Sequence, residues 1–534
     1  MKKRVLSLML VVLMLLGTVT GCGNNKKKTT VEGLPEGTVK LIVGIPQNSN
    51  VTDYEDNAFT KYIEKTANVE LEFMFFSSSG SEYKQQLALM CSAKEVLPDV
   101  ILGFAFDHYT VNQYGEDGYF IDLTNYIDAY APNYKAQIEK LDQETKEYIL
   151  EKGKNTENGA YYGMPRILCP AGDDLQSMMY INRNWLKKLG LKEPTTIEEL
   201  KNVLTAFKNQ DPNGNGKADE MPMVGGQDMI NYLINAFVCY QQGTFNVTDG
   251  KVWDPIKTNE FRQALIYANE LVGAGLYDEL GFTMKQNDYK TLISPIDGPS
   301  KVGIFVGNFT RMTNAATNVA EEFQALHALG DATGKGGYTI VNEPAKQWTA
   351  YITKDCTYPA AAMKLIDTFY MDETVTRQRH GEKDVDWTYK EGKNVQGTTS
   401  YTNVINGQAF FSGNSTWCLN VCGIMTTFNY IRVLADDSGD PESNRLTKEV
   451  WDIRQGGKQP EETANNLVYT TEEYEVREEK AGTVSTYINE QIVLFVTGEK
   501  NPKNDATWNE FLAQLDEIGR TELMEICQQA YDRK

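Results

Sequence analysis

Residues 211–222 read DPNGNGKADEMP, and oxygen-bearing side chains recur there at alternate positions. Asp211, Asn213, Asn215 and Asp219 stand at positions one, three, five and nine, and Lys217 at seven offers its backbone carbonyl. Hard cations such as calcium are held by six to eight oxygens, which a tight loop can turn inward from alternate residues. An EF-hand would place a bidentate glutamate at position twelve, where this chain has Pro222. Glu220 supplies the missing carboxylate if the chain tightens after Asp219. Pro222 favours that tightening, because proline biases the residue before it away from helix. The expectation is a one-sided structural calcium loop over residues 211–220, with a metal-free polar turn as the alternative.

A second chemistry lies near the N-terminus. MKKR is a basic start, residues 5–16 are an apolar run, and GTVTGC follows. A run of this length is too short to span a bilayer and matches the apolar core of a secretion signal. Residues 19–22, VTGC, resemble the bacterial lipobox, which implies cleavage after residue 21 and lipidation (palmitate and related chains) of Cys22; an ordinary secretion signal with an incidental cysteine is the alternative. Residues 22–38 are polar and aperiodic, as expected of a tether that holds the folded part off the membrane.

With 534 residues the chain is long enough for two or three lobes, each with a substantial core. A formal net charge of −21 argues against nucleic-acid binding, which needs a basic surface. Beyond Cys22 there are seven cysteines, Cys91, Cys169, Cys239, Cys356, Cys418, Cys422 and Cys527, mostly in apolar runs where buried free thiols are expected. Cys418 and Cys422 are close enough to form a bridge or to share a helix face. Three widely separated histidines, His108, His327 and His380, do not make a zinc site.

The elements that position these residues follow an α/β pattern. VKLIVGIP (39–46) and VELEFMFF (69–76) are expected strands, and residues 83–95 form a crossover helix before PDVILGF (98–104), giving a βαβ unit with parallel strands. In residues 195–210, Thr196 and Glu199 form a capping box ahead of the apolar face Ile197, Leu200, Val203, Leu204 and Phe207. Pro359 suits the first turn of a helix that carries Ala362, Leu365, Ile366 and Phe369 on one face. Gly190 closes the helix of RNWLKKLG.

Taken together, VTGC, LPDVI (97–101), YGMPR (162–166), residues 180–200, the loop at 211–220, KVGIFVGNF (301–309) and RHGEKDVDW (379–387) resemble the family 1 extracellular solute-binding lipoproteins of bacterial ABC importers, including maltose- and alginate-oligosaccharide binders. The resemblance implies an α/β, type II periplasmic-binding-protein-like fold with several hinge crossings. One lobe is expected from residues 39–163 and 344–413, the other from 164–343 and 414–534. The chain would cross between them near Gly163, near Glu343 and somewhere after Gly413. The loop matches the order of calcium ligands in the alginate-binding members. A carbohydrate of oligosaccharide size would be bound by aromatic platforms with carboxylates, amides and arginine, then passed to membrane permease subunits by a monomeric binding protein.

By comparison with the maltodextrin binders, Phe104 would stack on the sugar and Asp107 accept a hydroxyl, and Phe309 would be a second platform beside Asn308. Arg166, Gln227, Trp348 and Trp417 are further candidates, while Trp185 and Trp387 are assigned to packing. Two other readings remain open at this stage. A cell-surface glycoside hydrolase would need a carboxylate pair across a cleft, and a binding protein for a peptide or another small solute could share the fold.

Overall fold

The computed structural model describes residues 31–168, 178–313, 317–331, 333–339, 347–394, 399–405, 414, 416–417, 421, 423–425, 441–464 and 467–533. The signal segment, Cys22, Cys169, Cys418 and Cys422 lie outside them. In chain order the strands are β1 (Val39–Pro46), β2 (Val69–Phe76), β3 (Val100–Phe106), β4 (Met164–Leu168), β5 (Met178–Asn182), β6 (Met221–Val224), β7 (Asn246–Thr248), β8 (Lys251–Trp253), β9 (Val302–Gly307), β10 (Phe323–Ala325), β11 (Gln347–Ile352), β12 (Trp387–Lys393), β13 (Thr399–Val404) and β14 (Gly423–Met425).

The first sheet runs β14-β4-β11-β3-β1-β2 and the second β10-β5-β9-β6. β1 and β2 pair in parallel from Val39 opposite Val69 to Pro46 opposite Phe76. β3 joins the other side of β1, also in parallel. The helix Gly80–Ala93 is therefore a parallel crossover that passes over one intervening strand. Neither sheet is wholly parallel, because β11 runs antiparallel to β3 and β4, and β5 antiparallel to β9 and β10.

Each sheet is buried by amphipathic helices. Leu41, Val43 and Ile45 of β1 share a core with Phe59 and Ile63, and with Ala362, Leu365, Ile366 and Phe369, the apolar face read from the sequence. In the second lobe, Ile181, Met223 and Ile304 pack with Leu200, Leu204 and Phe207 and with Ile488, Ile492 and Phe495. Burying each such side chain stabilises by about 2 kcal/mol. The Thr196 hydroxyl accepts from the Glu199 amide as expected, but the Glu199 carboxylate takes the Thr195 amide (2.8 Å), so the box is displaced by one residue. Gly190 ends its helix at φ 67°, a left-handed conformation that costs glycine little.

Strand membership moves two of the expected crossings. β4 still belongs to the first sheet, so the first passage follows Leu168 and not Gly163. β14 pairs in parallel with β4, so Gly423–Met425 belong to the first sheet, beyond the expected boundary at 413. Glu343, the expected second crossing, lies outside the described residues. Among the described residues no helix is long and apolar enough to cross a membrane. The described cysteines Cys91, Cys239, Cys356 and Cys527 are free thiols.

Candidate ligand-binding site

β3 ends at Phe106, and Asp107 then caps the helix His108–Glu116 by accepting from the Thr110 amide (2.9 Å). The Thr110 hydroxyl donates to its other oxygen (2.7 Å). Burial alone would raise this carboxyl, but these bonds, with another to the Tyr474 hydroxyl, outweigh it and hold Asp107 below the ordinary carboxylate range. Asp107, His108, Tyr109 and Lys152 thus form one wall of a cavity of about 200 Å³.

The opposite wall belongs to the second lobe. It comprises Gly243, Thr244 and Phe245 together with Tyr469, Tyr474, Arg477 and Glu478, the last three at the start of the long helix Thr471–Thr497. A Thr470–Glu473 capping box fixes that helix start. The two walls are joined directly. The Tyr109 hydroxyl donates to the Tyr469 carbonyl (3.0 Å) and accepts from the Tyr469 amide (2.7 Å). The Tyr109 and Tyr474 rings stack with centroids 3.6 Å apart and planes 17° apart.

The Tyr474 hydroxyl is raised, first by burial and then by the Asp107 charge, and it also hydrogen-bonds Glu478. Arg477 lies over the Tyr469 ring at 4.1 Å and donates to its hydroxyl (3.1 Å). The cavity therefore offers two acids, two cations and aromatic faces from both lobes. Such a set can hold hydroxyl edges and C–H faces together.

Of the residues expected to touch ligand, only Asp107 lines this cavity. Phe104 is fully buried among Phe76, Tyr83 and Phe106, so it is a packing residue and not a platform. Trp417 is likewise a core residue, its indole N–H donating to the Thr60 hydroxyl (2.8 Å) amid Phe59, Phe73 and Phe369. Trp348 is buried opposite Phe106 on β11, because a residue at the sheet's centre packs on both sides. Phe309 lies against Tyr180, Phe305 and Phe323, half-buried, with Asn308 preceding it. Gln227 begins the helix Gln227–Asn235, and Arg166 lies half-buried in β4 opposite Gln347. Trp185 and Trp387 are core residues, as assigned. The sequence reading missed Tyr109, Tyr469, Tyr474, Arg477 and Glu478. The capping pattern of VYTTEEYEVREE could have marked that helix start, but nothing local says that it faces residue 109.

The loop after the helix Ile197–Asn209 leads straight into edge strand β6, where Pro222 costs no ladder bond on its open side. Asp211 accepts from the Gly214 (2.9 Å) and Gly216 (3.1 Å) amides, Asn213 from Asn215 (2.9 Å), and Asn215 from Lys217 (2.8 Å). Asp219 Oδ1 takes the Asn213 (3.1 Å) and Asn215 (2.9 Å) side-chain amides, and Lys301 lies 2.9 Å from Oδ2, which draws Asp219 down to about 2.

Glu220 Oε1 is buried with no hydrogen-bond partner, and its carboxyl is raised by burial and by the Asp211 and Asp219 charges. Among the described residues no group of three His, Cys, Asp or Glu side chains converges as a metal cage. The donor chemistry, all oxygen with one orphaned carboxylate oxygen, nevertheless fits a hard cation, provided Lys301 releases Asp219.

Two α/β lobes, each contributing one wall to a shared cavity, define a two-lobed solute-binding architecture. A model of the bacterial extracellular solute-binding protein family matches residues 48–375, more than half of the chain, and the chain belongs to that family. The fructooligosaccharide ABC transporter substrate-binding protein FusA of Streptococcus pneumoniae is 29% identical over 295 residues, 53% of this chain and 52% of the relative. The polygalacturonan/rhamnogalacturonan-binding protein YtcQ of Bacillus subtilis is 26% identical over 342 residues, 63% of each chain. Lipoprotein LipO of the same organism is 23% identical over 354 residues, again 63% of each. These matches span from about half to under two-thirds of the relatives' length.

Among solved structures, an HMO binding ABC-transporter associated solute binding protein from Bifidobacterium longum infantis superimposes with TM-score 0.75 at 20% identity, covering 93% of this chain and 99% of that one. An EF-hand mutant of FusA in complex with fructo-nystose gives 0.71 at 18%, covering 92% and 99%. The alginate-binding protein AlgQ2 without calcium ion gives 0.65 at 21%, covering 93% and 99%. At these identities the superpositions establish the shared fold.

Proposed function

We propose that this chain is the solute-binding component of an ABC importer, which captures a carbohydrate of oligosaccharide size outside the membrane and delivers it unaltered to permease subunits. The observation that carries the reading is the cavity whose Asp107 and Tyr109 wall comes from one lobe and whose Tyr469, Tyr474 and Arg477 wall comes from the other. A ligand touching both walls favours the arrangement in which the lobes meet, which is how binding becomes a signal for docking. The family membership and the carbohydrate ligands of its relatives support the same reading.

Residues 1–21 act as the secretion signal, Cys22 carries the lipid that anchors the protein to the outer face of the cell membrane, and residues up to 38 form the tether. Asp211, Asn213, Asn215, Asp219 and Glu220, with the Lys217 carbonyl, hold a structural calcium ion that would neutralise the acidic loop. The protein acts as a monomer and breaks no bond.

The test is a thermal-shift and calorimetric screen of mono-, di- and oligosaccharides and short peptides, with mass spectrometry of the recovered ligand. An oligosaccharide that raises the melting temperature and is recovered intact supports the proposal. Shortened sugar would establish a hydrolase, and a response to peptides alone would change the solute class.

A further inference from the structure

Buried polar atoms normally find partners, and leaving one unpaired costs about 1–3 kcal/mol. Beside the interlobe cavity two such atoms occur on neighbouring rings. His108 is 2% exposed and its Nε2 has no hydrogen-bond partner, and the same holds for Nε1 of Trp348, which is 1% exposed. The two ring centroids are 5.5 Å apart, because β11 sets Trp348 opposite Phe106, two residues before His108. His108 itself lines the cavity, with Tyr109 packed on its other side. A fold that keeps one orphaned group in the lining of a cavity and a second on the ring 5.5 Å from it breaks the rule of polar satisfaction where function is expected to break it.

The imidazole is uncharged. Burial, reinforced by Lys152 and opposed only by Asp107, pushes it down to about 3. An uncharged ring nitrogen offers either one lone pair or one N–H, and a hydroxyl can answer both. A ligand carboxylate can only accept, and it would meet the ionised Asp107 on the same wall. Of the two cavity cations, Arg477 is already committed to the face and hydroxyl of Tyr469, and Lys152, on the wall of His108, to the hydroxyl and ring of Tyr148.

On the carbohydrate-binding reading above, we propose that His108, backed by Trp348, is a specificity-determining residue that hydrogen-bonds a hydroxyl of an uncharged sugar ring. Nε2 is shielded while the walls are joined, so the imidazole turns about Cβ–Cγ as the ring enters. Oligosaccharides of neutral sugars are therefore preferred over oligouronates.

The experiment uses the full folded chain. Fructo-oligosaccharides, maltotetraose and trigalacturonate are titrated by calorimetry into the wild type, His108→Leu and His108→Gln, and each protein is also melted without sugar. His108→Leu removes an unsatisfied polar group, so its melting temperature without sugar is unchanged or higher, while its affinity for the best neutral sugar falls about tenfold or more. His108→Gln, which keeps a hydrogen-bonding edge, retains affinity to within about threefold.

The inference is overturned if His108→Leu binds the sugar as the wild type does, if its melting temperature falls along with its affinity, or if trigalacturonate binds the wild type more tightly than any neutral sugar. A wild type that binds none of the sugars overturns the carbohydrate reading itself, and this inference with it.

Discussion

The Tyr109 hydroxyl and the Tyr469 backbone form a reciprocal pair, the hydroxyl donating to the carbonyl at 3.0 Å while accepting from the amide at 2.7 Å. One oxygen thus satisfies both backbone groups of a residue in the opposite lobe, 360 positions away in sequence. Because parting the lobes breaks both bonds at once, the pair favours the joined arrangement. Replacing the hydroxyl by hydrogen in Tyr109→Phe keeps the stacking on Tyr474 and loses about 1–2 kcal/mol of interlobe contact. The expected outcome is sugar affinity weakened about five- to thirtyfold, with solution scattering shifted toward a larger radius of gyration. Unchanged affinity and scattering would show that the clasp does not bias the lobes.

The wall formed by residues 243–245 depends on a buried ion pair at its back. Arg520, 1% exposed, bonds Asp254 through two nitrogens (2.8 and 2.9 Å), donates to the Thr244 carbonyl (3.0 Å) and lies 3.9 Å over the Phe245 ring. Removing one partner of such a pair costs about 3–5 kcal/mol, because the other charge is left buried and unpaired. Arg520→Met should therefore lower the denaturant midpoint strongly. Asp254→Asn added to Arg520→Met should recover part of the loss, since no lone charge then remains. Equal losses in the single and double variants would contradict this account.

How much of this could be read from sequence depends on how local each determinant is. β1 and β2 were readable to the residue, because a short apolar-rich run is a property of eight consecutive positions. That residues 211–220 form a loop after a helix was readable from their turn-forming residues and from Pro222, which disfavours a continuing helix. The lining of the interlobe cavity was not readable. Phe104 and Trp417 have the residue types of sugar platforms, but whether an aromatic ring is a platform or core is settled by neighbours far away in sequence, such as Phe76 against Phe104 and Phe73 against Trp417. For the same reason Tyr109 could not be matched to Tyr469. The late entry of β14 into the first sheet rests on a parallel pairing of three residues with β4, too short to leave a periodic signal.

The acidic loop gives a metal-dependent prediction. Without a cation, the orphaned Glu220 oxygen faces the charges of Asp211 and Asp219. A calcium ion at about a hundred times its dissociation constant would stabilise the fold by about 2.7 kcal/mol. A chelator should therefore lower the melting temperature, and Asp211→Ala should make the curve insensitive to chelator. In chelator, Glu220→Gln should melt higher than the wild type because it removes the repelled charge. Identical curves for the wild type with and without chelator would count against the metal site.

The buried imidazole also predicts the acid limb of stability. His108 ordinarily titrates at 6.5 and is pushed down to about 3 in the fold, chiefly by burial. Between those values the unfolded chain takes up a proton that the folded chain refuses, so the unfolded state binds more protons and stability must fall as the pH falls. The contribution is fully present above about pH 6.5 and is lost at up to about 1.4 kcal/mol per pH unit below it, or about 2 kcal/mol by pH 5. His380, lowered to about 4 by burial, acts in the same direction. His108→Gln has no proton to gain, so the difference in unfolding free energy between it and the wild type should change in its favour as the pH is lowered from 7 to 5. Parallel stability curves for the two proteins across that range would mean that His108 takes up its proton in the folded state, and the uncharged imidazole beside the cavity would have to be abandoned.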